Sequence, residues 1–593
     1  MNDVAARRDV APRAVAERTF RTHDGLDLFY RHWPAAAGPA RGAIVLLHRG
    51  HEHSGRLAHL PDEFALPEMD FFAWDARGLG RSPGPRGDAP SVATLVRDLQ
   101  TFVDHIGATH SVPVENVAVV AQSVGAVLAA AWVHDYAPRL RALVLASPAF
   151  KVKLYVPFAC AGLALMYRLR GNFFINSYVK AKLLTHDAAR IASYDADPLI
   201  TRPISVRLLL GLYETAERVV ADAQAIVVPT QVLVSGADWV VHHAPQHRFF
   251  EGLGAPVKAL HVLPGFFHDT LGERDRALAV AKAREFVRRQ FDAPAVVPDL
   301  RSADVRGATK DEADALARPL PRLSPRGLYW AATRASLRIG GTVSEGIALG
   351  HETGFDSGST LDYVYRNQAR GLTSIGRAID RAYLDSIGWR GIRARKVHLE
   401  ALLRDALARV RAKGLPAHVV DVAAGHGRYV LDAIDRADAP PDSILLRDYS
   451  RRNVEQGDAL IRARHLEHVA RFVDGDAFDR ASLAALAPRP TVAIVSGLYE
   501  LFPDNARVAQ SLAGLADALP DGGMLVYTGQ PWHPQLELIA RALTSHRGHQ
   551  AWVMRRRTQA ELDQLVAHAG FRKLAQRIDE WGIFTVSLAE RRR

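Results

Sequence analysis

The sequence predicts an α/β protein built as two successive units, and three observations predict it. Short β-rich apolar runs alternate with helical patterns along most of the chain, as buried parallel strands joined by helical crossovers do. A polar, proline-punctuated stretch interrupts that alternation near the middle. The motifs on its two sides differ and no repeat relates the halves, so each half needs its own explanation.

In the first half the expected strands are Ala43–Leu47, Phe71–Trp74, Val117–Ala121, Ala142–Leu145, Thr230–Val234 and Lys258–Leu263, followed by a helix ending near Phe291. Asp292 opens a segment with Pro319, Pro321 and Pro325 close together, which reads as a linker over 292–325. A mainly helical stretch then runs from Leu328 to Lys413. Strands resume at His418–Val422, Ser443–Leu446, Val492–Val495 and Met524–Tyr527. The expected domains are therefore 15–291 and 326–590, the second with a helical N-terminal extension.

Composition narrows the class. With 593 residues, 48% hydrophobic and 23% charged, the chain has material for two cores, and global disorder and fibrous repeats are excluded. A single cysteine, Cys160, excludes a disulfide framework and any multi-cysteine metal site, so no metal is expected and a reducing cytoplasm fits. The net charge of +11 comes from 75 Lys+Arg against 64 Asp+Glu. Its cations are scattered, with the longest runs at Arg555–Arg557 and Arg591–Arg593, so they read as solvated faces and no nucleic-acid partner is expected. The N-terminus has no cationic patch followed by an apolar run, hence no expected secretory signal. The longest apolar stretch, Leu154–Tyr167, falls short of the roughly 20 residues a spanning helix needs. The expectation is a cytoplasmic protein with peripheral contact on the cytoplasmic membrane face as an option.

The first motif is Val117-Ala-Val-Val-Ala-Gln-Ser-Val-Gly125, an apolar strand running into small-x-Ser-x-Gly and then a helix. So sharp a turn exposes a serine hydroxyl above the sheet and requires small residues two positions away on each side, here Ala121 and Gly125. A base and its orienter should follow in the order Asp, His at later strand ends. Asp238 ends Val232-Leu-Val-Ser-Gly-Ala-Asp238, and His268 ends Val262-Leu-Pro-Gly-Phe-Phe-His268. After the strand Ile44–Leu47 comes His48-Arg-Gly-His-Glu-His-Ser-Gly-Arg56, placed to supply an oxyanion hole.

These residues resemble the α/β-hydrolase superfamily, and within it the monoacylglycerol-lipase-like serine hydrolases, over roughly Thr19 to Phe291. Glu52-His-Ser-Gly-Arg56 matches that family's loop letter for letter, and Asp75-Ala-Arg-Gly-Leu-Gly-Arg-Ser is similar to its Asp-x-Arg-Gly-x-Gly-x-Ser turn. The resemblance implies Ser123 as nucleophile, His268 as base, Asp238 as orienter, and the N–H groups of Gly50 and Val124 as the oxyanion hole. Arg49 and His51 stand where the family usually has glycines, so a charge directed into the site, altered substrate choice or a weakened hydrolase is open. The helical insertion over about 150–228 would be a lid, and its apolar start flanked by Lys151, Lys153, Arg168 and Arg170 suits contact with an acyl ester or a membrane surface.

The second motif is His418-Val-Val-Asp-Val-Ala-Ala-Gly-His-Gly427, a strand, a glycine turn and a helix from Arg428. Its acid precedes the glycines, an order similar to motif I of class I S-adenosylmethionine-dependent methyltransferases, which have a Rossmann-like fold. The resemblance covers roughly Leu328 to Leu588. It implies Asp421, Ala423, Gly425 and Gly427 around the methionine part of S-adenosyl-L-methionine, Asp448 on the ribose, and Asp476 with Ala477 at the adenine. The acceptor side is less legible; the resemblance implies acceptor contacts from helical residues such as Ile375–Arg395, from Tyr499 after the fourth strand and from the segment after the fifth. The sequence after the fourth strand is Ser496-Gly-Leu-Tyr-Glu500, unlike an amino-methylation Asn-Pro-Pro-Tyr. Gly529-Gln-Pro-Trp-His-Pro534 offers His533 as a base or a capping residue.

The function expected is a bifunctional enzyme: a serine ester hydrolase with a lysophospholipid or monoacylglycerol-like substrate, fused to a methyltransferase of lipid metabolism. Two alternatives accompany it. In one the first domain is a degenerate, lipid-binding scaffold; in the other the methyltransferase modifies nucleic acid.

Overall fold

The computed structural model describes residues 12–154, 156, 158–177, 179–437 and 439–592, so the reading of the first eleven residues lies outside the described ones. The chain divides between Pro298 and Asp299 into two compact units.

The first unit is built on strands β1 (Ala16–Arg21), β2 (Asp27–Trp33), β3 (Gly42–Leu47), β4 (Met69–Trp74), β5 (Val117–Gln122), β6 (Ala142–Ala146), a small hairpin β7 (Phe174–Asn176) and β8 (Pro203–Ser205), then β9 (Thr230–Ser235) and β10 (Lys258–Leu263). Eight of them form one sheet in the order β1-β2-β4-β3-β5-β6-β9-β10. From β4 to β10 the pairings are parallel. Strands β3 to β6 and β9 are buried along their whole length, because helices cover both faces of a parallel sheet. The hairpin β1–β2 was absent from the sequence reading for the opposite reason. It is an antiparallel edge with one wet face, and Glu17, Arg18, Arg21 and Arg31 break any continuous apolar run.

Between β6 and β9 the insertion carries helices Ala159–Arg170, Ala188–Ala196 and Val206–Ala221. The first of these buries none of its residues.

The second unit carries β11 (His418–Asp421), β12 (Ser443–Asp448), β13 (Ala470–Asp474), β14 (Val492–Val495), β15 (Met524–Gly529), β16 (Phe571–Ile578) and β17 (Thr585–Arg591). Their order is β13-β12-β11-β14-β15-β17-β16, with β17 antiparallel to both neighbours. The order reverses between β11 and β14, which opens a crevice at the carboxyl ends of those strands. Helices Glu345–Thr353, Ser374–Leu384 and Ile387–Ala412 gather a further apolar cluster over that end, including Ile347, Trp389, Ile392, Trp552 and Phe584.

The segment read as a linker over 292–325 is a linker only at its start. From Asp299 it belongs to the second unit. Leu300 N donates to Gln564 Oε1 (2.8 Å), Asn505 N donates to Asp304 Oδ2 (2.7 Å), and the helix Ala308–Ala317 supplies Thr309 and Glu312 to Arg555 and Arg556. Both arginines are 1% exposed. The polar residues that make the segment look solvated are the partners of buried cations, which only the fold reveals. Among the described residues no helix is long and apolar enough to cross a membrane.

Candidate active sites

Strand β5 delivers Ser123 onto a strained turn. Its φ of 56° and ψ of −117° lie where L-residues are rare, and the helix Val124–Tyr136 starts immediately after it. A side chain at Gly125 would put its Cβ 2.5 Å from the His48 carbonyl oxygen, so glycine is obligatory there.

His268 Nε2 stands 2.7 Å from Ser123 Oγ, and its Nδ1 stands 2.8 Å from Asp238 Oδ2. The other oxygen of Asp238 accepts the Val240 and Val241 N–H groups at 2.7 and 3.0 Å. Burial pushes the Asp238 pKa up, but His268 and those hydrogen bonds outweigh it and hold the carboxyl below its ordinary value. The three residues predicted from the sequence thus form a continuous Ser–His–Asp relay. Gly50 and Val124 also come together, since a Cβ on Gly50 would lie 3.0 Å from Val124 Cγ2.

Arg49 does not carry a free charge into the site. Its guanidinium binds Glu52 at 2.5 and 3.1 Å and lies 3.5 Å from Asp269, which in turn accepts from Arg190 (2.5 Å) and Gln122 (2.9 Å). Burial opposes ionisation of Asp269, yet Arg190 and Arg49 hold it well below the carboxylate range. His51 adopts a positive φ of 69°, the conformation for which the glycine of related loops is suited. Its Nδ1 lies 2.7 Å from the Thr201 carbonyl, and its own carbonyl accepts the Thr201 N–H (3.0 Å), which ties the loop to the lid. Asp269, Arg190 and Thr201 were not singled out from sequence, and only the Arg49 and His51 departures could have prompted a search for them.

A cavity of about 470 Å³ lies over Ser123 and His268. Leu95, Leu128, Leu163, Leu208 and Leu212 line it, mostly lid and helix residues, within the size range of small-molecule sites. Outside it the lid exposes Phe158 and Leu169, 89% and 76% accessible.

In the second unit a cavity of about 740 Å³ occupies the crevice where strand order reverses. Ala423, Gly425, Gly427, Asp448, Asp476 and Ala477 all line it, as the sequence predicted. Gly427 has a φ of 72°, and a Cβ there would meet Leu446 at 2.4 Å, so the turn has to be glycine. Asp448 anchors the turn by accepting the Gly425 N–H (3.0 Å) and the Ser450 N–H (2.9 Å). Asp476 is exposed and caps the Phe478 N–H (2.8 Å).

Asp421 departs from the expectation. It is fully buried beneath the turn rather than lining the cavity, where the Tyr429 hydroxyl donates to it and the Ala423 N–H lies at 3.3 Å. Its place at the last position of β11 points it inward. Burial pushes its pKa up to about 7. Burial also raises Asp448, and among the described residues no Lys or Arg hydrogen-bonds to either acid. The cavity wall opposite comes from the helical extension, including Ser359 and Asp362, which sequence reasoning did not assign, and Arg395, which ends the helical stretch expected on the acceptor side.

Comparisons with known proteins add to this geometry. A family model described as "Putative methyltransferase" matches residues 283–591, and one described as "Serine aminopeptidase, S33" matches residues 38–275. The chain is 57% identical over 581 residues to an Escherichia coli (strain K12) protein named "Uncharacterized protein YnbC", covering 98% of this chain and 99% of that one. It is 26% identical over 270 residues to a monoacylglycerol lipase of Mycolicibacterium smegmatis, covering 45% of this chain and 94% of the lipase. Among solved structures, a Paleococcus ferrophilus monoacylglycerol lipase aligns with 47% of this chain and 99% of its own, at 23% identity and a TM-score of 0.40.

Proposed function

This chain belongs to the methyltransferase family whose model spans its C-terminal half, with an α/β-hydrolase domain ahead of it, and from that premise we propose a bifunctional enzyme: a serine ester hydrolase of the monoacylglycerol-lipase kind followed by an S-adenosylmethionine-dependent methyltransferase. The observation that carries the first activity is the Ser123–His268–Asp238 relay, with links of 2.7 and 2.8 Å. Ser123 Oγ gives its proton to His268 as it attacks the ester carbonyl, and Asp238 stabilises the resulting imidazolium. The Gly50 and Val124 N–H groups take the oxyanion; its collapse breaks the ester C–O bond as His268 gives its proton to the departing alcohol, and water, losing a proton to His268, then attacks the acyl-serine, releasing the acid and restoring Ser123. The leucine-lined cavity supports an acyl substrate. Exposed Phe158 and Leu169 beside Arg168 and Arg170 support peripheral contact of the lid with an anionic lipid surface.

In the second unit the cavity residues fit a nucleoside-containing cation. The glycine turn lets backbone approach a ligand, Asp448 and Asp476 offer acceptors to hydroxyl and amino groups, and among the described residues no Lys or Arg hydrogen-bonds to Asp448. S-adenosylmethionine supplies an electrophilic methyl on a sulfonium. The protein would contribute orientation and a site closed to water.

Two measurements test the reading. The first is hydrolysis of p-nitrophenyl esters of increasing chain length by wild type and Ser123→Ala, with and without anionic vesicles. Turnover that is lost in the variant and rises with chain length is expected, and absence of any Ser123-dependent turnover would leave a lipid-binding scaffold in its place. The second is calorimetric titration of the full chain with S-adenosylhomocysteine. Saturable binding is expected; no binding, with copurifying nucleic acid released by salt, would revive the nucleic-acid reading.

A further inference from the structure

A second, smaller cavity of about 320 Å³ adjoins the proposed donor cavity, and Asp356, Leu361, Arg395, Gly497 and Leu501 line both. Its body is apolar and partly aromatic, with Leu337, Ile392, Trp389, Met554 and Phe584 among its walls. Glu500, Gln530, His533 and Trp552 at its lining are at least nine-tenths buried, at 7, 3, 4 and 8% exposure, as are Asp356 and Arg395. Among the described residues, Glu500 Oε2, Gln530 Nε2 and Trp552 Nε1 have no hydrogen-bond partner. Burying such groups unpaired costs about 1–3 kcal/mol each, so a wall carrying several is built to meet a ligand.

Each charge at this wall already has a partner: Asp356 accepts from the Ser545 hydroxyl and the His546 N–H (both 2.6 Å), and Arg395 pairs with Glu500. Arg395 Nη1 donates to Glu500 Oε1 at 3.2 Å and the guanidinium lies over the Phe584 ring at 5.0 Å. An acidic ligand would meet an arginine whose charge is already paired, next to a carboxylate; a cationic one would meet the arginine. His533 adds a donor rather than a base. Burial lowers its pKa to about 4, so the ring is neutral, and its Nδ1 accepts the Gln535 N–H (3.0 Å). The proton of a neutral imidazole with Nδ1 so occupied sits on Nε2. Nε2 faces the gap left by Gly388, where a Cβ would stand 3.2 Å away.

We propose that this cavity is the methyl-acceptor site, and that its substrate is a compact, uncharged molecule with an apolar or aromatic body and one hydroxyl, which the enzyme O-methylates. The inference rests on the methyltransferase reading above and names the acceptor class for that site. Gln530 Nε2 and His533 Nε2–H hold the acceptor oxygen by donating to it. Glu500, beside the residues shared by the two cavities, receives the hydroxyl proton on Oε2. The acceptor oxygen forms the new O–CH3 bond while the sulfonium's C–S bond breaks, its electron pair staying on sulfur. The products are a methyl ether, a neutral thioether and protonated Glu500, which returns its proton to solvent. At about 320 Å³ the cavity is at the small end of small-molecule sites, sized for one compact ring system or short chain.

The test is calorimetric titration of the full chain, first with S-adenosylhomocysteine, then with 2-naphthol and with 2-naphthoate as the matched anion. Methyl transfer from S-adenosylmethionine to 2-naphthol is followed in parallel. The expected result is saturable 2-naphthol binding at least tenfold tighter than 2-naphthoate. Gln530→Met and His533→Phe should each weaken it about tenfold. Glu500→Gln should bind 2-naphthol within about threefold of wild type but transfer methyl roughly 100-fold more slowly. Leu538→Trp, which fills the cavity, should abolish 2-naphthol binding and leave S-adenosylhomocysteine binding intact. If S-adenosylhomocysteine binds but 2-naphthol does not, or 2-naphthoate binds as tightly, the acceptor assignment is overturned and the donor reading stands. If S-adenosylhomocysteine also fails to bind, both fall.

Discussion

Two carboxylates close to the carboxyl ends of parallel strands, Asp238 after β9 and Asp421 at the end of β11, are both almost fully removed from water, yet their pKa values move in opposite directions. Burial raises both. At Asp238 an imidazole at 2.8 Å and two backbone N–H groups more than repay that cost. At Asp421 the partners are a tyrosine hydroxyl and one distant amide, with Asp448 adding like charge, and burial prevails. The difference separates the two units chemically. The first carries its own compensating groups and is assembled as it stands; in the second, among the described residues, no Lys or Arg hydrogen-bonds to Asp421 or to Asp448, which lines the cavity.

The largest effect should come from the assembled site. Ser123→Ala should lower esterase turnover at least about 10⁴-fold, because nucleophile, base and orienter act as a unit. Residual turnover above that level in a p-nitrophenyl ester assay would mean the relay is not the reacting group. Asp238→Asn should cost roughly 10³–10⁴-fold, since it removes the carboxylate that fixes and charges against His268. A loss under tenfold would erase the contrast with Asp421.

Independence of the two units is sharpened by Gly427→Val. The substituted Cβ would sit 2.4 Å from Leu446 at a φ of 72°, so S-adenosylhomocysteine affinity should fall at least tenfold, while esterase turnover stays within about twofold. Equal loss of both activities would refute that independence. Arg49→Met tests how the first unit compensates its charges: with Glu52 and Asp269 left to Arg56 and Arg190, about 3 kcal/mol of stability should go, seen as a drop of several degrees in its thermal transition.

The smallest effect is a pH dependence. Asp421 is raised to about 7 from an unfolded value near 4, so folding takes up a proton between those values. The stability this contributes is full below about pH 4 and is lost as pH rises through 7. Asp421→Asn stays neutral throughout. Its thermal midpoint relative to wild type should therefore rise by a few degrees between pH 5 and pH 8, and a flat difference would place a compensating cation at Asp421.

Much of the site chemistry was legible before any fold. Ser123 and Gly125 sit in one tetrad, Asp238 and His268 each close a strand-and-turn, and the glycine turn with Asp448, Asp476 and Ala477 marks three successive strand ends. These features are short-range: a turn's φ and a strand's end depend on neighbours within a few residues. Asp421 was misplaced because a strand's last residue can face cavity or core, and one period of alternation decides which. The segment 299–325 was misread because prolines and charges look alike in a solvated linker and in a strap that neutralises buried arginines.

The amino-acid sequence by itself determined the two α/β units, the order of nucleophile, acid and base, and the glycine turn, since each is written in local pattern and strand–helix alternation. Only the tertiary structure decided that Arg49 is neutralised by Glu52 and by Asp269, 220 positions further along the chain, and that Arg395, Glu500, His533 and Trp552 converge on one small cavity. Charge compensation and cavity walls are made by residues far apart in sequence, and their sign and shape exist only once packing has removed the water between them.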